Sequence, residues 1–325
     1  ALKTQDTGNT YNVAVGHATG MSVTTGVQNT LIGALTGDAL TTGSYNVALG
    51  YAALSTEDTG NKNIAIGFQA LVNQNIDGDI YNVAIGHNAG LSVTTGTQNT
   101  IIGGLAGDAI TTGSDNIAIG YAALSSSDTG SRTVAIGSYA LEDQNPTGAD
   151  YFYNVAIGYA AGKEITTGTD NTIIGGLAGD ALTTGALNVA VGKAALGSED
   201  TGSTNVAIGH AALMNQNYDG SAYNTAVGHN AGTAVTTGIY NTLLGGQAGD
   251  ALTTGGSNVA IGLNALGAED TGSDSIAIGR SALLNQNYDG SAYNVAIGRD
   301  AGKEVTTGIK NSLIGGLAGD ALTTG

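Results

Sequence analysis

A chain of 325 residues is long enough for two or three globular domains, but its composition is not that of a globular protein. It contains 54 glycines, one proline, no cysteine and no tryptophan, and only 11% of its residues are charged. The hydrophobic share of 41% argues against a disordered chain, while the formal net charge of −17 argues against nucleic acid and anionic membranes as partners.

The dominant feature of the sequence is a repeated block that reads Asn-Val-Ala-Ile-Gly at residues 82–86. Most blocks start 17 residues after the previous one, as Asn29 does after Asn12, and every fourth interval is longer. Internal periodicity of this length predicts a solenoid in which each repeat forms one rung. The rungs are anchored at Asn12, Asn29, Asn46, Asn63, Asn82, Asn99, Asn116, Asn154, Asn171, Asn188, Asn205, Asn224, Asn241, Asn258, Asn294 and Asn311, with Thr133 and Ser275 taking the place of asparagine in two further rungs.

Four types of rung alternate, so that a superrepeat of 70 residues leads from Asn46 to Asn116. We predict one continuous solenoid segment over residues 1–325. Neither end carries a polar capping repeat, and solenoids need such caps at open ends, so we expect the sequence to be a segment of a longer fibre. The predicted superrepeats are 44–113, 114–185, 186–255 and 256–325, preceded by a partial unit, 1–43.

Each rung opens with a short alternating strand, in which Val83 and Ile85 face one side and Ala84 faces the other. A glycine follows at a corner, where a β-carbon would hinder a sharp bend. Frequent glycines argue against a helix, because each one costs a helix interior about 1 kcal/mol. The sequence therefore predicts an all-β fold, a parallel β-roll or β-solenoid with rungs of about 17 residues. Corner glycines are expected at Gly50, Gly86, Gly120, Gly158, Gly192, Gly228, Gly262 and Gly298.

A compensating pattern indicates which residues share the interior. Rungs with a leucine such as Leu54 carry glutamate or serine three residues later, as at Glu57, whereas rungs with glycine in place of that leucine carry an apolar residue later, as at Val93. One bulky apolar side chain per rung is what the close packing of a narrow core requires. The anchor asparagines are expected to stack as an amide ladder at a turn.

The blocks at residues 82–86, 116–120 and 258–262 resemble the head repeats of trimeric autotransporter adhesins of the YadA-like family, and related repeats occur in bacteriophage tail fibres. The resemblance covers nearly the whole chain. It implies a left-handed parallel β-roll, three chains side by side, and display on a cell or virion surface. The chain departs from the family pattern in its longer repeat and in its regular insertion at every fourth interval. The function of the family is adhesion through an extended surface, so no catalytic residue carries over.

The insertions Asn73–Gly78, Asn215–Gly220 and Asn285–Gly290 mimic the first half of a calcium-binding loop. The bidentate glutamate that such a loop needs at its twelfth position is an alanine, as at Ala84, and the insertion at 143–148 also lacks the aspartate. We therefore expect surface loops without a metal. Tyrosine suits recognition surfaces, and the candidate recognition residues on and after these loops are Tyr81, Tyr153, Tyr218, Tyr223, Tyr288 and Tyr293.

Histidine follows the corner glycine at His17, His87 and His229, but Tyr159 and Arg299 take its place in the other copies. A metal site would lose a ligand in those copies, so an exposed and variable column is the better interpretation.

Two further columns have a simple explanation. Aspartates such as Asp38 and Asp108 recur four rungs apart, about 19 Å at the usual strand spacing, which is too far for paired acid–base catalysis and keeps like charges separate. Threonine pairs such as Thr94–Thr95 form a ladder that suits strands and turns, with a flat ice-binding face as the alternative.

The sequence contains no serine–histidine–aspartate set, nucleophilic cysteine, zinc-ligand spacing or phosphate-binding loop. We predict a protein that is not an enzyme and uses no cofactor, namely an extracellular fibre segment that serves as a rigid spacer and adhesive surface in a trimeric adhesin or phage tail fibre. Its expected partners are further copies of the chain and a cell-surface or matrix receptor, with no nucleic acid and no membrane insertion. The alternatives are a single-chain solenoid that assembles into an extracellular filament, and an ice-binding solenoid.

Overall fold

The computed structural model describes residues 2–3, 10–145 and 151–325. Within these ranges the regular elements are 18 strands of three residues each, and there is no helix. The chain divides into two compact units, Ala1–Thr167 and Gly168–Gly325, and each unit contains nine of the strands. The prediction of an all-β fold is confirmed.

The strands of the first unit are β1 (Val13–Val15), β2 (Thr30–Ile32), β3 (Val47–Leu49), β4 (Ile64–Ile66), β5 (Val83–Ile85), β6 (Thr100–Ile102), β7 (Ile117–Ile119), β8 (Val134–Ile136) and β9 (Val155–Ile157). Those of the second unit are β10 (Thr172–Ile174), β11 (Val189–Val191), β12 (Val206–Ile208), β13 (Thr225–Val227), β14 (Thr242–Leu244), β15 (Val259–Ile261), β16 (Ile276–Ile278), β17 (Val295–Ile297) and β18 (Ser312–Ile314).

Within each unit every strand pairs in parallel with the next strand along the chain, so one rung stacks on another. Val83 of β5 is opposite Thr100 of β6, one rung later. The register is the same across the insertions, where Ile64 is opposite Val83 and Val134 is opposite Val155. The predicted parallel solenoid with rungs of about 17 residues is confirmed, and the extra residues of superrepeats 44–113, 186–255 and 256–325 lie in a loop between strands.

The corner after each strand requires glycine. Gly86 has φ +146°, and a β-carbon on it would be 2.6 Å from the carbonyl carbon of Gly103 in the next rung. Backbone from adjacent rungs therefore approaches too closely at this corner for any side chain. The eight glycines predicted at corners, Gly50, Gly86, Gly120, Gly158, Gly192, Gly228, Gly262 and Gly298, have φ between +130° and +146°.

The interior of a rung is narrow and contains small or single bulky side chains. Ala84 in the middle of β5 is fully buried, as are Leu54 and Val93, the two alternative bulky residues of the compensating pattern. Glu57 is also fully buried, although its position three residues after a leucine suggests only that a bulky apolar side chain is not needed there. The core is therefore partly polar, which the apolar pattern alone does not predict.

Candidate recognition surface and its buried support

The tyrosines that precede the anchor asparagine after each insertion form an exposed column. Tyr81, Tyr153, Tyr223 and Tyr293 are between 50% and 56% exposed. Each lies in the left-handed backbone region, with φ between +51° and +60°. This conformation costs a residue with a β-carbon roughly 1–2 kcal/mol. The equivalent residue of another rung, Lys62, has φ +63°, so the conformation belongs to the turn of the solenoid in general.

In superrepeat 44–113 a lysine contacts the tyrosine of the column. Lys62 Nζ donates to the Asp79 carboxylate at 2.6 Å and to the Tyr81 hydroxyl at 2.9 Å, and it lies 4.9 Å from the centroid of the Tyr81 ring. The bond to Asp79, followed by that to Tyr81, raises the pKa of Lys62, and Lys62 in turn lowers the pKa of Asp79. Solvent screens this exposed pair, so its value is more in orienting the ring than in stability.

In superrepeat 114–185 an arginine replaces the lysine and a second tyrosine joins it. The Arg132 guanidinium lies 4.0 Å from the ring centroid of Tyr151 and 5.7 Å from that of Tyr153, and Nη1 donates to the Tyr153 hydroxyl at 2.7 Å. The bond to Tyr153 raises the pKa of Arg132. Tyrosine and arginine are the residue types enriched at binding hot spots, so this cluster is the strongest recognition candidate of the first unit.

The second unit presents its tyrosines in another way. Tyr223 stacks on Tyr240 of the following rung, with ring centroids 5.8 Å apart. Tyr218 and Tyr288, which the sequence also suggests for recognition, are only partly exposed, and the Tyr218 ring lies beside Gly220 of its own loop. They offer less free ring surface than the tyrosines of the column.

The insertion loops are tied to the preceding rung by their aspartates. Asp219 Oδ1 accepts a hydrogen bond from the Thr201 hydroxyl at 2.8 Å, and Asp289 Oδ1 accepts one from Thr271 at 2.7 Å. Asp77 is held in the same way. In the part of the chain that the structure describes, no group of three or more histidine, aspartate or glutamate residues could hold a metal ion. Residues 146–148 of the insertion at 143–148 lie outside the described residues.

The histidine column is exposed and takes part in a stack of rings. His17, His87 and His229 all lie at the surface. The His87 ring stacks on Phe68 at 5.2 Å between centroids, and Phe68 stacks on Tyr51 at 5.4 Å. The His229 ring stacks on His210 at 5.2 Å between centroids, so stacked rings on successive rungs account for His87 and His229 by packing.

The threonine ladder serves bonding between rungs. Thr94 Oγ1 donates to the carbonyl oxygen of Thr111 at 3.2 Å, and Thr111 Oγ1 donates to that of Asp128 at 3.0 Å. One hydroxyl of each of these pairs is therefore bonded to the next rung, and Thr95 remains exposed beside Thr94. This arrangement favours the turn-forming interpretation of the threonines.

The anchor asparagines form hydrogen bonds that link the start of a rung to its end and to the next rung. Asn99 Nδ2 donates to the carbonyl oxygen of Gly113, at the end of its own rung, at 2.9 Å. Asn99 Oδ1 accepts from the backbone nitrogen of Asn116, in the next rung, at 3.0 Å. All the predicted ladder asparagines are fully or almost fully buried except Asn12 and Asn311. A buried amide costs little when both its nitrogen and its oxygen are hydrogen-bonded, as they are at Asn99.

A buried pair of polar residues, which the rung pattern does not single out, supports the insertion loop of superrepeat 44–113. Glu57 Oε2 accepts from Gln74 Nε2 at 3.0 Å, and Gln74 Oε1 accepts from Asn82 Nδ2 at 2.8 Å. All three side chains are fully buried. Counted from the anchor asparagine, Glu57 and Gln74 occupy the same column as the apolar residues Leu40 and Val93. That alignment of rungs was the signal that could have revealed them.

The glutamine of the insertion explains why two rungs have threonine or serine in place of the anchor asparagine. An insertion removes the glycine carbonyl that the asparagine amide otherwise meets. Thr133 Oγ1 instead accepts from Gln144 Nε2 at 3.0 Å, and Ser275 Oγ accepts from Gln286 Nε2 at 2.9 Å. Two other rungs with an insertion keep the asparagine. Asn63 Nδ2 donates to Asn46 Oδ1 at 3.2 Å, whereas the buried Nδ2 of Asn205 has no hydrogen-bond partner among the described residues.

Most strands present their larger side chains outward, whereas β2, β6, β10 and β14 bury a leucine or isoleucine in the middle. In β2–β17 the middle residue is buried and the flanking valine, isoleucine, leucine or threonine is partly or largely exposed, as Ile157 at 36% and Leu244 at 46%. None of the 18 described strands contains a charged residue. Each unit therefore carries a strip of branched apolar side chains along its strands, which we call the strand face. Apolar strips of this kind on soluble proteins mark interaction surfaces.

Comparison with protein-family models, with curated proteins and with solved structures finds no match for the chain. The search for a helix long and apolar enough to cross a membrane, made over the described residues, finds none.

Proposed function

We propose that the chain is a structural segment of an extracellular fibre, in which it serves as a rigid spacer and an adhesive surface and carries out no catalysis. The observation that carries this proposal is the strand face, an uncharged strip that repeats on every described rung. A protein with a net charge of −17 that keeps one strip free of charge has a surface suited to a partner of the same kind. The resemblance to YadA-like head repeats, in adhesins and in phage tail fibres, suggests three chains and a cell or virion surface.

The best partner for the strand face is a further copy of the chain. A repeating strip can be covered along its length only by a surface with the same spacing between rungs, about 4.8 Å. Another copy has the same spacing because it has the same repeats. Most soluble oligomers are built from identical chains. The parallel ladder and the asparagine clips join each rung to its neighbour, which supplies the stiffness of a spacer.

The adhesive part of the proposal rests on the exposed tyrosine column. The cluster of Arg132, Tyr151 and Tyr153 combines aromatic area with hydrogen-bonding groups at the surface. Tyrosine provides a large contact area with few rotatable bonds, so little entropy is lost when a receptor binds. A single-chain solenoid filament is the competing account, and it requires the strand face to remain uncovered or to meet filament neighbours.

The number of chains per layer tests the assembly. Native mass spectrometry should give three times the mass of the 31.9 kDa chain, and cryo-electron microscopy of the fibre should show three chains in each layer. Ile85→Lys and Ile119→Lys, which place charges on the strand face, should convert the trimer to monomers, because a charge buried without a partner costs several kcal/mol.

Thr95→Lys is the matched control, since it adds the same charge at an exposed position away from the strands. It should leave the trimer intact. A wild-type chain that stays monomeric at micromolar concentration, or strand-face variants that assemble as the control does, would contradict the proposal.

A further inference from the structure

Two tyrosines of the column that precedes the anchor asparagines lie on adjacent rungs. Tyr223 and Tyr240 have ring centroids 5.8 Å apart and ring planes 12° from parallel. They are 56% and 55% exposed, and both have a left-handed backbone, with φ +53° and +63°. The Tyr240 backbone nitrogen donates to the carbonyl oxygen of Ala222 at 2.8 Å, so the backbone holds the two tyrosines side by side.

The other tyrosines that follow an insertion have no phenol on the next rung. Tyr81 has a hydrogen bond from Lys62, and Tyr153 has one from Arg132. The residues in the same position one rung later are glutamine after Tyr81, aspartate after Tyr153 and lysine after Tyr293. The column therefore offers one pair of phenols among the described residues that follow an insertion.

Tyrosine rings also meet at other places on the surface, with a different geometry. The rings of Tyr121 and Tyr139 and those of Tyr139 and Tyr159 meet edge to face, at 79° and 89°. Tyr151 and Tyr153 are two residues apart in the sequence, and their rings are tilted by 44°. None of these contacts places two phenol faces side by side along the stack of rungs.

A stacked pair of this kind is poorly suited to binding a ligand by its faces. Each ring covers one face of the other, so less aromatic surface is free than on a single exposed tyrosine. Both residues nevertheless remain more than half exposed, so an oxidant can reach them. Exposure together with a neighbouring phenol is the arrangement that favours coupling of the two rings.

We propose that Tyr223 and Tyr240 form an oxidative cross-linking site, at which a one-electron oxidant of the haem peroxidase class joins the two rings into dityrosine. Hydrogen peroxide is the terminal oxidant. The inference goes beyond the proposed function, on which it rests only for the extracellular setting that supplies the oxidant. The product links two rungs covalently, in addition to the hydrogen bonds of the parallel ladder.

The reaction needs no group of the chain besides the two phenols. Each phenol gives up one electron and its hydroxyl proton, which leaves two neutral phenoxyl radicals. These radicals form one carbon–carbon bond between ring carbons ortho to the oxygens, and the hydrogen on each of these carbons then moves to the oxygen and restores the phenol. The two electrons and two protons released reduce one molecule of hydrogen peroxide to two molecules of water.

The fold supplies the proximity that the coupling step requires. Adjacent rungs are about 4.8 Å apart, which is close to the separation of the two ring centroids. A short rotation of the exposed side chains of Tyr223 and Tyr240 therefore brings the ortho carbons together. Groups held in this way react at a high effective concentration, whereas a radical on Tyr293 has Lys310 in place of a second phenol.

Treatment of the intact chain with a haem peroxidase and hydrogen peroxide tests the site. The wild-type chain should lose two hydrogen atoms, show the fluorescence of dityrosine and give, after proteolysis, a cross-linked peptide pair that contains Tyr223 and Tyr240. The yield should be independent of protein concentration, because the reaction is intramolecular. Tyr240→Phe keeps the stacked ring without its phenol and should lower this yield about tenfold.

Tyr293→Phe is the matched control, since it removes an equally exposed phenol from the same column and should leave the yield unchanged. Lys310→Tyr makes the converse change in superrepeat 256–325. The Lys310 backbone nitrogen donates to the carbonyl oxygen of Ala292 at 2.8 Å, as that of Tyr240 does to Ala222. This variant should therefore gain a second cross-link, to Tyr293.

A wild-type chain that forms only cross-links between molecules overturns the site, and so does a product that maps mainly to Tyr121, Tyr139 and Tyr159. Equal losses of yield in Tyr240→Phe and Tyr293→Phe also overturn it. These outcomes are separate from the fate of the proposed function. A monomer by native mass spectrometry contradicts the trimer and leaves the cross-link standing, and a trimer without the cross-link leaves the proposed function standing.

Discussion

Superrepeats 44–113 and 114–185 fill the same interior corner, where the long rung meets the rung before it, with different residues. In the first, a β-carbon at Gly60 would be 2.6 Å from Cδ of Glu57 and would also meet Ile80. A charged side chain and a medium-sized apolar one therefore share the corner.

In superrepeat 114–185 the equivalent corner surrounds Gly130. A β-carbon there would be 2.6 Å from Ser127 Oγ and 3.4 Å from Cδ2 of Phe152. The glutamate has become a serine and the isoleucine a phenylalanine, so a small polar residue is matched by a larger apolar one. Phe152 is almost fully buried, as is Ile80.

The comparison separates volume from charge. Both superrepeats keep the corner filled, as dense packing requires, but only one keeps a buried carboxylate. A buried charge without a cation is not needed for stability, and an apolar replacement of similar volume is often neutral or stabilising. The glutamates therefore call for an explanation other than packing, and their hydrogen bonds to the insertion loop supply one.

The largest loss of stability should come from truncating Phe152, which fills most of the corner around Gly130. Phe152→Ala removes the ring and leaves only Ser127 beside Gly130, so we expect a loss of about 3–5 kcal/mol. Ile80→Ala should cost less, about 2–3 kcal/mol, because Glu57 still occupies part of the volume. Urea denaturation with hydrogen exchange of the flanking rungs measures both losses.

Exchanging the residues of the two corners gives a more specific test. Ser127→Glu alone crowds the phenylalanine and buries a charge, so it should destabilise, and Phe152→Ile added to it should recover part of the loss. A coupling free energy of about 1 kcal/mol or more between the two positions is expected for side chains that share a corner. Additive losses would show that the two residues do not compensate each other.

The sequence predicts the architecture because the spacing of the repeats determines how the rungs stack. The interval of 17 residues and the Val83–Ala84–Ile85 alternation suffice for parallel rungs, and the corner glycine follows from the same alignment. The exposed tyrosines of the column, such as Tyr81, were identified by residue type and by their place after the insertion.

The repeat spacing does not predict the buried polar residues that hold the loops. Glu57 and Gln74 are polar residues in a sequence, and their burial depends on donors from a neighbouring rung and from a loop that folds back. Tyr218 shows the opposite case, since its residue type suggests exposure while its loop partly covers the ring. Contacts made by loop closure leave no period in the sequence, and so the pattern of rungs does not reveal them.

A second natural comparison, between Asn205 and Ser275, predicts a stabilising substitution. Asn205 Nδ2 and Gln216 Nε2 are both buried and lack a well-formed hydrogen bond among the described residues, whereas Ser275 Oγ accepts from Gln286. Asn205→Ser should remove one orphan donor and give the other an acceptor, but it also removes the bond that Asn205 Oδ1 accepts from the Asn224 backbone nitrogen at 3.3 Å. Because that bond is long, we expect a net gain of about 1 kcal/mol in the free energy of unfolding.

The reverse substitution is the matched control. Ser275→Asn should recreate the orphan amide in superrepeat 256–325 and cost about 1–2 kcal/mol. Chemical denaturation of both variants beside the wild type gives the two differences. A loss of stability in Asn205→Ser would mean that the asparagine amide has a partner that the hydrogen-bond pattern does not include.

The smallest effect concerns two aspartates that differ in their partners. Asp108 in superrepeat 44–113 has a buried Oδ1 without a hydrogen-bond partner among the described residues, and burial raises its pKa above the ordinary value of 3.8. Asp128 in superrepeat 114–185 accepts instead from the Thr129 backbone at 2.6 Å. Backbone hydrogen bonds from Asp108 and Ala109 offset the burial of the Asp108 carboxylate only in part.

The sign of the pH effect follows from the raised pKa of Asp108. Its contribution to stability is fully present below pH 3.8 and is lost as the pH rises through the folded-state pKa, so Asp108→Asn should stabilise the protein at pH 7 and lose this advantage towards pH 4. Because the side chain is partly exposed, solvent screening limits the gain to about 0.5 kcal/mol. Asp128→Asn should instead lower stability at pH 7, since the amide is a weaker acceptor for Thr129. Melting temperatures of both variants between pH 4 and pH 7 measure the difference, and equal shifts for the two would show that the missing partner of Asp108 has no energetic consequence.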